Sequence, residues 1–542
     1  MSKGLLIFCT AFAATVQAAV WDGGRLLVEA DEGSKELRVE DNVAWLEAGK
    51  VPDYAVGNVI RWLELKGVDC AAYRTRFKPV EPPLGEPLSR RPGFRLGFML
   101  DISRDKVPTM ASLKRLVDAL ARFGYNELQL YTEVTFAYAG HEEMWRGWSP
   151  MTAAEVRELD AYCWARGIAL TPNQNSFGHL EKLFRHARYL PLAEAPNGFT
   201  IRNPPLKDKP PKALHAAAPE SMAFLAGLYD ELFPLFPHAD RANVGCDEVW
   251  DIFSPTCRSA GKSARFGVFR VYADHLKGVY GLCSARKKRM AFWADMVLRA
   301  PGLLEEIPRD ALPINWGYGG EDADSPGFTC EFEGRCLALK RQGLDFYVGP
   351  STCTWAAFFG RHRRMRANLD LVTVAARKYG ACGLLLTSWG DHGHRHPWLV
   401  DLPGIVYAAA RVRGEEMTDG QIAEAVDGFC GCRVGKAVVV LGNIDRGRRR
   451  NEDAPTAEMV AEARAALAQA DLQGAPEWVR TSCDTLALGA DILEARVKGT
   501  LAARRAELSA RYSSCWLKDN RPGGLEESLR ELGLTAAAKG VR

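Results

Sequence analysis

The sequence predicts an α/β protein whose central domain is a (β/α)8 TIM barrel, with a small N-terminal α+β region and a helical C-terminal domain. Eight short apolar runs alternate with segments of helical periodicity, and the runs are too continuous for half-exposed hairpin strands. Eight β/α units in succession are the number that closes a barrel. The runs cover 96–102, 127–131, 168–172, 242–245, 290–294, 312–316, 346–348 and 383–387. Helices are expected to begin near Thr109, Ala153, Ser221, Phe266, Gly302, Arg335, Leu369 and Gly404.

The regions on either side of the barrel have different patterns. Residues 20–92 combine short alternating stretches, an amphipathic helix near 55–66 and a proline-rich linker over 77–92. The barrel domain is predicted over 93–413. Residues 414–542 form the helical C-terminal domain, because Ala, Glu, Arg and Leu dominate at helical spacing from 456 to 508.

The net charge of the chain indicates which partners it binds, and its N-terminal residues indicate the compartment in which it acts. The 70 Lys+Arg against 67 Asp+Glu leave a net charge of +3, so no strong field favours nucleic acid or a membrane surface. Lys3 precedes an apolar run, and 16–18 have signal-peptidase spacing, which predicts a signal peptide over 1–19 and a periplasmic or secreted protein. A buried N-terminal helix is the alternative. No later segment is apolar for long enough to span a bilayer, so stable membrane insertion is not expected.

Cysteine usage does not indicate a disulfide framework. Loss of Cys9 with the signal leaves 14 − 1 = 13 cysteines, an odd number with no paired CxxC arrangement for zinc. Two close pairs are candidates for bridges, Cys430 with Cys432 and Cys330 with Cys336.

Two neighbouring carboxylates mark the end of the fourth run. In a barrel, functional groups lie where strands end, and Asp247 and Glu248 come at that point. Two carboxylates held close cannot both ionise freely, and burial raises the pKa of at least one, which gives a proton donor suited to cleaving a glycosidic bond. Acids at a helix N-terminus would give the same pattern without catalysis.

The residues around this pair resemble a known enzyme family. The stretch 243–249, Asn-Val-Gly-Cys-Asp-Glu-Val, resembles the His/Asn-x-Gly-x-Asp-Glu signature of family 20 glycoside hydrolases, and the resemblance extends over about 94–414. It implies a β-N-acetylhexosaminidase acting on glycans with a terminal N-acetylhexosamine. In that mechanism the substrate's 2-acetamido oxygen attacks the anomeric carbon, Glu248 is the general acid/base, and Asp247 orients the acetamido group. No metal or cofactor is then required.

Further sugar-binding residues follow from the resemblance. Trp389-Gly390-Asp391 is similar to the family's Trp-x-Glu, in which the acid binds sugar hydroxyls, and Gly178-His179 is similar to its Pro-Gly-His. Such a mechanism also needs an aromatic wall, and strand ends supply Trp293, Trp316 and Trp389 for it, with core packing as the alternative.

The sequence departs from the family pattern at three positions. Leu96 stands where the family has an arginine that clamps sugar hydroxyls, so a different residue must do that work. Asn175 replaces an acidic residue four positions before His179. The usual Tyr-x-Asp pair is missing after the seventh strand, where Trp355 is a candidate to fill the gap.

Other readings remain open at this point. The barrel could bind glycans without turnover, or it could be a metal-dependent hydrolase that uses His392, His394 and His396 with Asp391. A basic run, Arg361, Arg363, Arg364 and Arg366, is either a solvated face or a reader of sulfated or acidic sugars. The long loop 175–218, with three lysines over 207–212, is typical of a lid.

Overall fold

The computed structural model describes 18–22, 25–30, 33–40, 43–46, 84–202, 205–319, 325–444 and 455–535. The chain begins with an antiparallel four-stranded sheet in the order β1–β2–β3–β4. Its strands are Ala18–Asp22, Arg25–Ala30, Gly33–Glu40 and Val43–Leu46. The predicted helix at 55–66 and nearly all of the predicted signal peptide lie outside the described residues.

Eight parallel strands close into a barrel, which confirms the predicted fold class. The barrel order is β10–β11–β12–β13–β14–β5–β6–β7, and a separate β8–β9 hairpin follows β7 in the chain. Each barrel strand overlaps one predicted apolar run. The strands β5 to β14 are Arg95–Asp101, Glu127–Thr132, Ala169–Gln174, Phe199–Ile201, Leu206–Lys209, Arg241–Asn243, Arg289–Trp293, Leu312–Trp316, Tyr347–Gly349 and Gly383–Ser388.

Helices surround the barrel and continue beyond it. Helices α1 to α10 are Met110–Arg122, Glu142–Trp145, Ala153–Trp164, Pro219–Leu232, Ala260–Phe266, Val268–Ala285, Asp295–Leu298, Ser325–Arg341, His362–Tyr379 and Leu402–Arg413. Helices α11 to α16 are Asp419–Cys430, Gly435–Gly442, Ala457–Leu467, Glu477–Val497, Leu501–Asp519 and Leu525–Glu531. Short 3-10 turns occur at Leu88–Arg90, Leu183–Arg185, Ala187–Leu192, Phe233–Leu235, Asp251–Phe253, Pro301–Glu306 and Trp398–Asp401.

Two helices begin earlier than the sequence pattern predicts. The helix expected near Arg335 starts at Ser325, and the helix expected near Leu369 starts at His362. In α9 the basic run itself forms the first turns, since arginine is a good helix former and the intervening Met365 is buried. The helix expected near Gly302 is a 3-10 turn over Pro301–Glu306.

Two apolar clusters explain how the barrel is filled. A large cluster lies between the strands and the surrounding helices and includes Leu96 and Leu128. A second cluster contains Met99, Tyr131, Trp293, Tyr347 and Trp389 and fills the barrel itself. Leu96 belongs to the outer cluster, so its position on β5 faces the helices rather than the barrel interior.

The C-terminal helices are attached to the loop that follows β5. The amide of Thr109 donates to the carbonyl of Asp519 at 2.9 Å, and the amide of Arg521 donates to the carbonyl of Val107 at 2.8 Å. The guanidinium of Arg521 also pairs with Glu155 of α3 at 2.7 Å. The end of α15 therefore fixes the segment that leads from the first barrel strand into α1.

The cysteines that the structure describes are free thiols. Cys336, Cys430 and Cys432 are all free thiols, so neither candidate pair, Cys430 with Cys432 or Cys330 with Cys336, forms a bridge. Within the part of the chain that the structure describes, no helix combines the length and apolar character needed to cross a bilayer.

Candidate active site

The site is built on an unusual turn at the carboxyl end of β10. This strand ends at Asn243, and the backbone then takes positive φ angles at Gly245 (68°), Cys246 (68°) and Glu248 (47°). Residues with side chains rarely adopt that region, so the turn must be held by its surroundings. The hydroxyl of Tyr272 donates to the carbonyl of Cys246 at 2.8 Å, and the amide of Glu248 donates to Asp295 at 3.2 Å.

Two glycines allow neighbouring backbone to come close to this turn. A Cβ on Gly178 would lie 2.6 Å from the carbonyl oxygen of Asp247, and one on Gly245 would lie 2.5 Å from the Asn175 side chain. Any larger residue at either position would push the loop after β7 away from the turn after β10. The glycines therefore allow His179 to reach the carboxylates.

Asp247 is a buried and ionised carboxylate. Its Oδ2 lies 3.0 Å from Nε2 of His179, and its Oδ1 accepts from the Asn175 amide at 3.2 Å. Burial alone would raise the pKa of Asp247, but His179, followed by Lys212 and Arg104, outweighs burial and lowers the pKa to about 2. Burial and Lys212 oppose the charging of His179, yet Asp247 raises the pKa of this imidazole above its ordinary value.

Glu248 is more exposed and has two cationic neighbours. Its side chain is 38% exposed, and its Oε2 lies 3.6 Å from the ammonium of Lys212 and 3.7 Å from Nε2 of His179. A carboxyl open to the pocket on one side and bounded by nitrogen groups on the other can exchange a proton with a bound molecule.

A third acidic residue, Asp295, holds the turn that bears Asp247 and Glu248. It is buried at the start of α7, accepts the amide of Glu248 and lies 3.4 Å from the indole nitrogen of Trp316. Burial, and then the charges of Asp247 and Glu248, raise the pKa of Asp295 to about 7.

Aromatic side chains form the wall of the pocket. The rings of Trp293 and Trp389 are 5.7 Å apart, those of Trp316 and Tyr318 are 5.2 Å apart, and those of Tyr318 and Trp355 are 5.5 Å apart. The indole of Trp389 donates to the Tyr318 hydroxyl at 2.5 Å. Among the described residues, the buried indole nitrogen of Trp293 has no hydrogen-bond partner, so it can donate to a ligand.

One arginine joins several acids at the opposite side of the pocket. The guanidinium of Arg104 lies 3.3 Å from both Asp101 and Glu133 and 3.6 Å from Asp391. It also lies over the rings of Tyr131 and Trp389, at 4.8 Å and 5.2 Å from their centroids. Its planar donors and fixed position suit binding of hydroxyl groups together with Asp391.

The structure brings all eight predicted site residues together. They line one pocket of about 210 Å³. The eight are Asp247, Glu248, His179, Trp293, Trp316, Trp355, Trp389 and Asp391. Sequence reasoning missed Arg104 and Tyr318, which line the same pocket. Tyr318 could have been found because it comes two residues after Trp316, just beyond the end of β12, whereas Arg104 lies in a loop with no motif to mark it.

The predicted histidine cluster is arranged differently from the expectation. His394 and His396 are buried and grouped with Asp401, and the exposed His392 and the pocket residue Asp391 are not part of that group. Nε2 of His396 lies 3.3 Å from Asp401, whose other oxygen accepts from Thr354 and Ser388. The alternating HxHxH arrangement is thus wrong as a single ligand set, because the chain turns at His392 and Gly393, which both have positive φ.

Three of the four arginines in the basic run after β13 contact the protein rather than the pocket. Arg361 donates to the carbonyl of Trp355 at 2.9 Å, and Arg364 donates to the carbonyl of Tyr318 at 3.0 Å. Both guanidiniums also lie against the Trp355 ring. Arg366 pairs with Asp419 at 2.6 Å. Arg361 and Arg364 thus support the aromatic wall from outside.

Comparison with known proteins shows what the barrel is similar to. Residues 93–323 match the protein-family model described as "Glycosyl hydrolase family 20, catalytic domain". The match covers 231 of the 542 residues, a little under half of the chain. The match covers barrel strands β5–β7 and β10–β12, and therefore includes the turn that bears Asp247 and Glu248.

Its relatives are distant. Hexosaminidase D of Homo sapiens is 23% identical over 296 residues, which span 53% of this chain and 58% of that protein. Hexosaminidase D of Bos taurus is 23% identical over 310 residues, 53% of this chain and 82% of that protein. The solved structure of a chitobiase from Flavobacterium johnsoniae is 15% identical, with a TM-score of 0.49 over 81% of this chain and 78% of that one. The chain thus spans little more than half the length of the first of these relatives.

Proposed function

We propose that the protein is an exo-acting β-N-acetylhexosaminidase that removes terminal β-linked GlcNAc or GalNAc by substrate-assisted retaining catalysis. One observation carries the proposal: a buried, ionised Asp247 and a pocket-facing Glu248 stand side by side at the wall of a tryptophan-lined pocket. An aromatic pocket with two adjacent acids of unequal burial suits a sugar whose own acetamido group takes part in the reaction.

In the first step, the acetamido oxygen of the bound sugar attacks the anomeric carbon. The bond to the leaving oxygen breaks as Glu248 gives that oxygen its proton, and Asp247 accepts a hydrogen bond from the acetamido N–H as positive charge develops there. In the second step, a water attacks the same carbon and gives its proton to Glu248. The ring formed by the acetamido group opens, and the sugar leaves with its original configuration.

The other pocket residues have roles in binding. Tyr318 and Trp355 form the wall where the family's Tyr-x-Asp pair is missing, and the unpartnered indole of Trp293 can donate to a sugar oxygen. Arg104 with Asp391 supplies the hydroxyl clamp that Leu96 cannot provide. The hexosaminidase names of the relatives agree with this assignment.

The test compares aryl glycosides that have and that lack the 2-acetamido group. Aryl β-N-acetylglucosaminide and β-N-acetylgalactosaminide should be hydrolysed, while the aryl β-glucoside, which has no acetamido group, should not. Stepwise fluorination of the acetamido methyl should lower kcat progressively, because it weakens the attacking oxygen. Equal rates on the N-acetyl and the fully fluorinated substrate would exclude acetamido participation. An arm with excess chelator tests the metal-dependent alternative, for which activity would be lost.

The proposed place of action is outside the cytoplasm. The charged residue and apolar run at the N-terminus support export. N-terminal sequencing of protein from the periplasmic fraction or the medium should find a chain that begins near Val20, and recovery of the intact N-terminus in the cytoplasmic fraction would contradict the proposal.

A further inference from the structure

Two buried histidines and an aspartate come together a few residues beyond the pocket residue Asp391 in the chain. One ring nitrogen of His394, one of His396 and one carboxylate oxygen of Asp401 all lie within 4.8 Å of one another. The three residues are at most 4% exposed. None of them is among the residues that line the sugar pocket, so the cluster is separate from the site described above.

The two imidazoles have unused hydrogen-bonding capacity. Nδ1 of His394 and Nδ1 of His396 are buried, and neither has a hydrogen-bond partner among the described residues. Buried polar atoms in folded proteins are nearly always paired, so two such nitrogens in one cluster are able to take a ligand. Burial is the main cause that lowers the pKa of His394 well below its ordinary value, and the neutral imidazole that results is the form that binds metal ions.

The contact between His396 and Asp401 has the spacing of two ligands of one metal ion. Nε2 of His396 lies 3.3 Å from Oδ2 of Asp401, beyond the usual range of about 2.7–3.2 Å for an N–H···O hydrogen bond. Nitrogen and oxygen ligands lie about 2.1 Å from Zn²⁺, so two of them in a tetrahedral site are about 3.4 Å apart. The other oxygen, Oδ1, accepts from Thr354 at 3.0 Å and from Ser388 at 3.1 Å, which leaves Oδ2 for the histidine or a metal ion.

A small cavity lies against both histidines. It has a volume of about 50 Å³, and its lining includes His394, His396 and, from the C-terminal helices, Tyr512 and Trp516. This volume can hold a water molecule. Zinc sites with three protein ligands take a water as the fourth ligand, so the cavity is in the right place to supply it.

One cation is close to the cluster. The ammonium of Lys106 donates to the carbonyl of His396 at 2.7 Å. Burial lowers the pKa of Lys106 to about 8, against the attraction of three acids, Asp105, Asp401 and Asp519. A cation that took Asp401 would therefore leave Lys106 with the other two acids.

We propose that His394, His396 and Asp401 bind a divalent transition-metal ion of the zinc type, with a water from the cavity as the fourth ligand, and that this ion has a structural role. Two imidazoles and one carboxylate suit zinc, whereas calcium and magnesium prefer sites made of oxygen ligands. The inference is independent of the proposed function, because none of the three ligands lines the sugar pocket.

The ion fixes the segment that leads away from two pocket residues. Trp389 and Asp391 line the sugar pocket, and the ligands follow them in the same segment, the last of them being the residue that precedes α10. An ion that binds the folded cluster but not the unfolded chain adds its binding free energy to the stability of the fold. It therefore stabilises this side of the pocket without taking part in bond cleavage.

The experiment uses the full chain, stripped with a chelator, desalted and then equilibrated with Zn²⁺ alone. Metal analysis should find one zinc per chain, and zinc should raise the melting temperature by about 2–5 °C. Ca²⁺ at the same concentration should raise it by less than zinc does. Co²⁺ in place of zinc should give the visible absorption of a four-coordinate site. Well below the melting temperature, kcat on aryl N-acetylhexosaminides should be the same with and without zinc.

Variants assign the binding to these side chains. His394→Gln and His396→Gln should each weaken zinc binding by about 100-fold or more, since even partners outside the ligand set are worth about 10–100-fold. Lys106→Met should strengthen it, because a like charge next to the ion is removed. His392→Gln is the matched control, because His392 is exposed in the same segment and outside the cluster, and this variant should bind zinc as the wild type does.

The outcomes separate this inference from the proposed function. A wild-type chain that takes up no stoichiometric zinc, or a double variant His394→Gln/His396→Gln that binds it equally well, would overturn the metal site and leave the hexosaminidase proposal standing. If the variants do not fold, the zinc stoichiometry and the cobalt spectrum of the wild type decide. Loss of kcat on removal of zinc from a chain that stays folded would overturn the structural role, and zinc binding without any hydrolysis would overturn the proposed function alone.

Discussion

Nε2 of His179 lies 3.0 Å from Oδ2 of Asp247, while Nδ1 of the same imidazole lies 3.4 Å from the guanidinium of Arg104. Because a guanidinium can only donate, Nδ1 accepts in this contact when the ring is neutral, and the ring proton is then on Nε2, the nitrogen beside Asp247. One ring thus connects the acid pair to the arginine at the other side of the pocket. The family resemblance placed His179 near the acids, but this second connection depends on Arg104, which the sequence did not mark.

Glu248→Gln removes the proton that the departing oxygen needs. We expect kcat on aryl N-acetylhexosaminides to fall by about 10²–10⁴, with the melting temperature nearly unchanged because the side chain is partly exposed. The loss should be smaller for aryl groups that leave easily without protonation. Glu220→Gln, at an exposed position at the start of α4, is the control. Wild-type kcat in Glu248→Gln would exclude Glu248 as the acid.

Asn175→Asp introduces the acidic residue that the family usually has at this position. Here the amide of Asn175 donates to Asp247 at 3.2 Å and to the Tyr131 hydroxyl at 3.1 Å, so a carboxylate would remove a donor and repel Asp247. The pKa of Asp247 should rise from about 2, which moves the acid limb of the kcat profile to higher pH.

The matching variant Asn175→Ala removes the donor without adding charge. Both variants should lose about 1–3 kcal/mol of unfolding free energy, but Asn175→Asp should move the acid limb further than Asn175→Ala, because only aspartate adds a charge that repels Asp247. An unchanged pH profile in Asn175→Asp would show that the two side chains do not interact in solution.

Asp295→Asn should change how stability depends on pH. Burial and the neighbouring carboxylates raise the pKa of Asp295 from its ordinary 3.8 to about 7, so between these values the folded protein holds a proton that the unfolded chain releases. The resulting stability is fully present below pH 4 and is lost as pH rises through 7. The effect is at most about 4 kcal/mol.

Urea unfolding at pH 4, 5.5 and 8 measures this effect. Asparagine cannot ionise, so the difference in unfolding free energy between wild type and Asp295→Asn should be largest at pH 4 and should shrink towards pH 8. Asp105 and Asp251, whose pKa values are both raised to about 6, titrate in both proteins and cancel in the difference. A difference that does not vary with pH would contradict a protonated Asp295.

Arg104→Met should damage binding and stability together. It leaves Asp101 and Glu133 buried without their cation and Asp391 without its partner, which should cost about 3 kcal/mol of unfolding free energy and raise KM for the aryl substrate. Arg104→Lys keeps the charge but not the planar donors, so it should recover stability more than KM. Arg157→Met, on the exposed face of α3, should change neither.

Much of the fold could be predicted because barrel strands are buried on both faces and leave continuous apolar runs in the sequence. All eight runs became barrel strands. The starts of α8 and α9 could not be predicted in the same way, since their first turns lack clear apolar spacing.

The pocket residues that lie at the ends of barrel strands could be predicted from the sequence. We could predict Asp247, Trp316 and Trp389 because they lie at strand ends or in sequence motifs, and in the structure all three line one pocket. The positions of Lys212 and Arg104 could not be predicted, because each lies in a loop whose path is set by contacts with distant segments. Lys212 is held by Asp251, and Arg104 is held by Glu133 and the acids near it.

The positive φ angles at Cys246 and Glu248 limit how the two catalytic acids could be transplanted into another barrel. On a regular strand, neighbouring side chains point to opposite faces, so copying an Asp-Glu dipeptide onto the strand end of a different barrel would send one carboxyl away from the cavity. A transplant would have to include the glycines at 178 and 245 and the acceptor Asp295 as well. The pair of acids therefore works only together with the backbone turn that bears it and the residues that hold this turn.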